Sequence, residues 1–352
     1  MFLSSTLESQ HTASAMRPSL YLTTLVAAAC GALATGSGTT NPPIRNIYTF
    51  PINTFIENIA VRANSKLLVT SMSVPDLFLI DPTVASPSAS ILHTFPNATG
   101  ISGIAEITPD LFALVTGIWD LANTRALPGT LAIWTINLNL APAIVRFITD
   151  VPDSLILNGL TRHPLNPRLL LAADSALGAV RRIDLLTGAH DIAFADPLLA
   201  PTGTVPGTHL GINGLRAAHG GLHVYFTNSA QKFLGRVRLD FAGNAIGGVE
   251  TLASSTAAGA DVVYDDIALD LLKGKLWIAS HPSYAVQVPL VGEGAQRVVS
   301  DTAKLLNPTS AAFGRGSLKE RNTLYVTNGG EFVGWDLVNE GVVALDLTGA
   351  GW

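Results

Sequence analysis

Six short polar residues, Asn58, Ser102, Asn158, Asn213, Asp266 and Ser310, each stand near the head of a similar phrase in this chain. Two have an acidic neighbour, Glu57 before Asn58 and Asp265 before Asp266. Gathered in one place, such side chains can bond one another into a polar plug. They can also offer oxygens to a hard cation such as calcium or magnesium, with Asn158, Asn213 and Asp266 as the candidate ligands. Zinc fits poorly, because no cysteine accompanies them and the histidines lie elsewhere. The same residue types also open strands for backbone reasons alone, and spacing does not separate these readings.

A second set could move protons or shape a pocket. His281, Tyr284, Tyr264, His209 and Asp266 are candidate acids and bases. Trp119, Met72, Phe233 and Trp335 lie in segments that link strands, with Phe55 and Phe332 nearby. Together with Asn58, Asn158 and Asn213 they describe an apolar rim with a few convergent polar groups, as small-molecule pockets have. Any one of these aromatics could equally pack between structural units. The chain contains no G-x-S-x-G elbow, no H-E-x-x-H pair and no P-loop, so no nucleotide cofactor is expected.

The elements that must position these groups come from internal repetition. Each phrase runs from a polar residue through a small residue and an apolar pair to a turn. An apolar strand ending in Thr, Ser, Asp or Asn follows. The phrases open at 58, 102, 158, 213, 266 and 310, in steps of 44, 56, 55, 53 and 44 residues. A third strand comes after each, as in Leu77–Asp81, Gly235–Asp240 and Val342–Asp346. Periods of this order with about four strands per unit indicate a β-propeller. Six copies predict an all-β, six-bladed propeller with four-stranded blades. Ile44–Tyr48 is left over at the front and supplies the outer strand of the last blade, which removes a free sheet edge. The first strand of each blade lines the axis, so the six opening residues gather at one mouth of the channel.

Composition agrees with a compact, weakly charged protein. Of 352 residues, 13% are charged, against about 25% in an average soluble protein, and the formal net charge is −5. No basic surface is implied, so nucleic acid is not an expected partner; small apolar molecules are, bound by a monomer or a dimer. The stretch from Arg17 through Leu20–Leu33 to Ala34 has the order of a secretory signal peptide, and it is too short for a membrane span. Residues 1–34 are therefore set apart, with 1–15 either a transit-like extension or a stretch ahead of a true start at Met16, and 35–352 are expected to form one propeller domain. Cys30, the single cysteine, lies in the leader. The sequon at Asn97 is a glycosylation candidate in a secreted chain.

Asn158-Gly159-Leu160, Asn213-Gly214-Leu215 and Asp266-Ile267-Ala268, each leading into an apolar strand, resemble the gluconolactonase/senescence-marker family of six-bladed propellers. The resemblance implies lactone hydrolysis with one axial divalent cation held by a Glu, two Asn and an Asp. Asn158 and Asp266 match two of those places. Glu57 stands one residue away from the family's Glu, which in a regular strand points it to the opposite face. Glu57–Arg62, Leu67–Ser71 and Leu77–Pro82 are similar to a fungal secreted branch that includes the hetero-Diels–Alderases of tropolonic sesquiterpene biosynthesis. That resemblance implies a cofactor-free cyclase joining an apolar terpene alkene to a tropolone quinone methide.

Overall fold

The computed structural model describes residues 41–218, 221–255, 262–290 and 296–349. The expected signal peptide and Cys30 lie outside them. Six four-stranded antiparallel sheets make six blades. Their inner strands are Ile56–Val61, Gly100–Thr108, Leu157–Arg162, Ile212–Ala217, Val263–Asp270 and Pro308–Phe313. The last blade takes its outer strand from Ile44–Thr49, which pairs with Gly341–Asp346 and closes the ring as the repeats require. Two small hairpins, Trp119–Asp120 with Arg125–Ala126 and Glu331–Val333 with Asp336–Val338, rise from blades two and six. Among the described residues the only helix is Leu318–Arg321, and none is long and apolar enough to cross a membrane.

Alternation along the strands explains why the blades stack. Neighbouring residues of a strand point to opposite faces, so each blade is apolar on both faces and needs two neighbours. Six apolar cores result, one per junction. Phe226, Val224, Leu171 and Val180 fill the junction of blades three and four. Tyr264, Ile278 and Val286 fill that of four and five. Ile47 and Phe50 of the closing segment join Ile56, Val69 and Tyr325 where blade six meets blade one.

The hub poses a different problem. Each inner strand lies at the edge of its sheet, so one row of its backbone groups has no ladder partner. Every inner strand also carries an irregularity at the same place, at Ile56/Ile59, Ile101/Ile104, Leu157/Leu160, Ile212/Leu215, Tyr264/Ile267 and Pro308/Ser310. Hydroxyls resolve both. The Thr70 hydroxyl accepts from the bulged amide of Asn58 at 3.0 Å and donates to the Ser102 carbonyl of the next blade at 2.7 Å. Thr227 does the same between Gly214 and Asp265. Ser102 donates to Leu157, Ser175 to Ile212 and Thr309 to Ile56. Ser310 completes the circuit by donating to the Asp266 side chain.

This stitching accounts for the polar ends of the repeated phrase, and the close approach accounts for its small residue. A Cβ on Gly103 would sit 2.1 Å from the Asn158 carbonyl oxygen, and one on Gly214 2.6 Å from the Asp266 Cα. Only glycine lets these backbones meet.

Thr70→Val keeps the shape but strands a buried amide and a buried carbonyl. It should cost about 1–3 kcal/mol in urea denaturation, whereas Thr70→Ser should cost less. Equal stability of the two variants would show that the hydroxyl does not carry the junction.

Candidate functional site

Asp266 is the centre of the hub. Its Oδ2 accepts from Asn58 Nδ2 at 3.1 Å, from Ser310 Oγ at 2.7 Å and from Arg216 Nη2 at 2.5 Å. Its Oδ1 accepts from the Ile267 amide at 2.8 Å. Asn58 Oδ1 accepts in turn from Ser310 and from the Ile59 amide. Side chains of four blades thus form the polar plug. Asp266, expected as a candidate metal ligand and acid, has protein donors on both of its oxygens. Asn58 is part of the same plug.

On the mouth side of the plug stands a different group. Asp265 Oδ2 faces His281 Nε2 at 2.9 Å. Asn213 donates to Ser229 at 2.8 Å. Three buried oxygens in this region, Asn158 Oδ1, Asn213 Oδ1 and Asp265 Oδ1, have no hydrogen-bond partner. Glu57 is buried with them. Burial holds its carboxyl well above the usual 4.5, and the nearby Asp265 and Asp266 push it further. Burial also raises Asp265, opposed by His281 and Asn213.

The placement of Glu57 corrects the alternation argument. Between Ile56 and Ile59 two inner-strand residues oppose one partner, so the face does not simply alternate there. The bulge brings Glu57 and Asn58 to the hub together, as another does for Asp265 and Asp266. An acidic residue just before the opening polar residue, Glu57 in blade one and Asp265 in blade five, is the signal in the sequence.

Orphaned buried oxygens fit a hard divalent cation. Glu57, Asn158, Asn213 and Asp265 would hold it, with Asp265 in the place expected of Asp266. No cluster of three or more His, Cys, Asp or Glu suited to a metal occurs among the described residues, so amide oxygens would have to supply part of such a site.

The other expected site residues are dispersed. Tyr264 is fully buried between blades four and five, with its hydroxyl on Gln296 at 2.6 Å and its ionisation pushed up by burial. His209 sets its ring nitrogens against the carbonyls of Val205 and Thr124. Tyr284 packs against the core that contains Tyr264. Trp119 and Met72 belong to the core of blades two and three, and Phe233 meets Phe226 edge to face at 5.9 Å. These three pack between blades because each needs a large apolar contact that the junctions supply. Trp335 stands 75% exposed by the second hairpin. Asn97 is exposed in a turn.

Beyond the plug, towards the C-terminal ends of the inner strands, the channel widens into a cavity of about 570 Å³. That volume lies within the range of roughly 300–1,000 Å³ typical of small-molecule sites. A rim at the opposite mouth was expected; the cavity lies at the other end. Ala60, Ala105, Ala217, Ala268 and Ala311 line it, and their short side chains leave the axis open. Arg162, Arg216, Arg315 and Glu106 supply its charges. Arg315 Nη1 donates to Glu106 at 2.7 Å and to the Val61 carbonyl at 3.0 Å. Arg162 Nη1 donates to the Ile107 carbonyl at 3.0 Å.

Fold and hub define a six-bladed propeller whose blocked axis separates an acidic mouth from a cation-lined cavity. No family model matches the chain. It is similar to a protein of Sarocladium schorii described as a candidate hetero-Diels-Alderase, asR5. The two are 27% identical over 320 residues, covering 81% of this chain and 78% of the relative. A candidate hetero-Diels-Alderase of a Phoma species is 25% identical over 346 residues, covering 90% and 93%. In fold it resembles the calcium-binding regucalcin of Agrobacterium tumefaciens, with a TM-score of 0.58, 16% identity and coverage of 84% and 91%.

Glu57 gives the mouth a pH signature. The unfolded chain ionises near the ordinary value of 4.5, before the folded chain does. The stability held by the neutral carboxyl is therefore complete below that pH and is lost as pH rises through the folded value. Urea melts from pH 4.5 into the neutral range should show a fall for the wild type and a shallower one for Glu57→Gln. Parallel curves would place the Glu57 carboxyl in water.

Proposed function

We propose that the chain is an enzyme, a cyclase of the hetero-Diels–Alder class, and that its reaction takes place in the alanine-lined cavity. The observation that carries this reading is the likeness to two relatives of that description over 81% and 90% of the chain. In such a step an alkene C=C adds across a C=C–C=O heterodiene. One C–C and one C–O bond form, and no atom is lost. The step requires two partners held together out of water, which lowers the entropic part of the barrier. It also requires donors at the oxygen where negative charge develops.

The cavity supports both requirements. Its alanine and isoleucine walls suit an apolar alkene, and its guanidiniums are fixed donors. Arg216 is held by Asp266 and by the carbonyls of Leu160 and Leu215. Arg315 is held by Glu106 and Val61. Donors set in place before the reaction need no reorganisation during it. The finer pairing in this proposal is a terpene alkene with a tropolone quinone methide, as the sequence resemblance implies.

A second reading rests on the three orphaned oxygens at the mouth. With a divalent cation on Glu57, Asn158, Asn213 and Asp265, that end would be a lactonase site. The cation would polarise the lactone carbonyl, and His281, oriented by Asp265, would accept a proton from water.

The two readings place activity at opposite ends of the channel. For the cyclase, Arg315→Met should lower kcat about 100-fold, while Glu57→Gln and added chelator should leave turnover of an alkene and heterodiene pair in place. Loss of turnover on chelation, with Arg315→Met active, would reject the cavity in favour of the mouth.

A further inference from the structure

On the face where the cavity opens, two neighbouring turns hold leucines in water. Leu272 stands 97% exposed and Leu271 43% exposed between the strands Val263–Asp270 and Lys275–His281. Leu318 stands 79% exposed at the start of the helix Leu318–Arg321. The two turns form one ridge. Lys273 Nζ donates to Asn322 Oδ1 at 2.7 Å, and Asn322 Nδ2 donates to the Leu318 carbonyl at 2.8 Å. Both turns continue inner strands that wall the cavity, with Ala268 and Leu269 just before Leu271, and Phe313 and Arg315 just before Leu318.

From this ridge we infer that the cavity face docks on a lipid surface bearing anionic headgroups. The leucines enter the acyl boundary, and the cations beside them lie among the phosphates. The inference goes beyond the proposed reaction and does not depend on which chemistry the cavity performs.

Charge favours this occupant. Lys273, Lys319 and Arg321 are exposed next to the leucines, in a chain whose net charge is −5. The carboxylates nearby are engaged locally. Glu320 accepts from the Ser317 amide at 2.7 Å and caps the helix. Asp270 accepts from the Lys273 amide at 3.2 Å and lies 3.7 Å from its ammonium. Asp346, near Lys319, accepts from the Thr348 hydroxyl at 2.6 Å. The proton affinity of Lys275 is lowered by burial and then by the cations Arg297 and Lys273. Shape favours the same occupant. Anchors of protein interfaces seat in pockets, and three leucines on convex turns fall short of the roughly 800 Å² that each side of a stable interface buries. A fluid surface closes round a convex ridge without a preformed partner.

The opposite face lacks this combination. Phe332 and Trp335 are exposed on the second hairpin, but Glu331 and Asp336 flank them. Anionic lipid repels that tip, so the disc meets the bilayer by one face only. The cavity then opens onto the bilayer, and an apolar molecule dissolved in the acyl layer reaches the alanine walls with little passage through water.

The test measures co-sedimentation of the full chain with vesicles. Phosphatidylcholine and phosphatidylserine in equal parts should bind it, more weakly as salt rises, and phosphatidylcholine alone should bind it less. Leu272→Ser together with Leu318→Ser should lower the affinity about tenfold, while Leu272→Phe should keep it. Lys319→Gln together with Arg321→Gln should remove the preference for phosphatidylserine. Trp335→Ser on the far hairpin should change nothing. Thermal melts report that each variant folds. Absence of binding by the wild type would overturn the proposal, as would binding that survives the paired leucine change, the result expected if the apolar stretch Leu20–Leu33 held the vesicle instead. Loss of binding on Trp335→Ser would move the contact to the hairpin and overturn it too. Self-association without lipid, abolished by the same leucine changes, would overturn it by making the ridge a contact between copies of the chain.

Discussion

Every blade presents its inner strand edge-on to the axis, and the structure depends on how those unpaired backbone groups are satisfied. Around the hub, side-chain hydroxyls accept from backbone amides of their own blade and donate to backbone carbonyls of the next. The bulged amide of Asn58 and the carbonyl of Ser102 share Thr70; Gly214 and Asp265 share Thr227. An unsatisfied buried amide or carbonyl costs more than a made hydrogen bond contributes, so the hydroxyls set which residues can stand at the hub. They also fix the spacing of the blades, since a bond of this length tolerates little drift. The apolar cores between blades supply most of the burial, but burial is non-directional. The hub bonds supply the direction.

Asp266 turns that ring into a partition. By accepting from Asn58, Ser310 and Arg216 it ties blades one, four, five and six at a single carboxylate. The partition separates two chambers with opposite chemistry built on the same six strands. Towards the strand starts, carboxylates and amide oxygens collect with little to donate to them. Towards the strand ends, guanidiniums collect around small apolar walls. The likeness to the two candidate hetero-Diels-Alderases runs over 81% and 90% of the chain, and so over the strands that build both chambers.

The blades, their number and the closing strand were legible in the sequence because their signal is repetition, which local irregularity cannot hide. The polar plug was legible too, from six opening residues that share a spacing. Glu57 was misplaced because alternation holds only in a regular strand, and a bulge is invisible until the register is seen. Trp119, Met72 and Phe233 looked like a rim because they follow second strands. Their burial between blades depends on the shape of junctions formed with distant residues. Arg216 and Arg315 are not legible in the sequence, because a lone arginine near a strand end has the pattern of a solvated tail. Only the ring brings them together across blades four and six.

The pairing of Ile44–Thr49 with Gly341–Asp346 has a consequence for biosynthesis. The earliest strand of the propeller has no mate until the latest has left the ribosome, so the first blade to be made flanks the last junction to seal. Until then the nascent chain is a growing crescent with an apolar face bare at each end. Contacts this remote in sequence form slowly, and bare strand edges invite pairing with other chains. With no cysteine among the described residues to lock the seam, the finished disc is kept shut by hydrogen bonds and by Ile47, Phe50 and their neighbours alone.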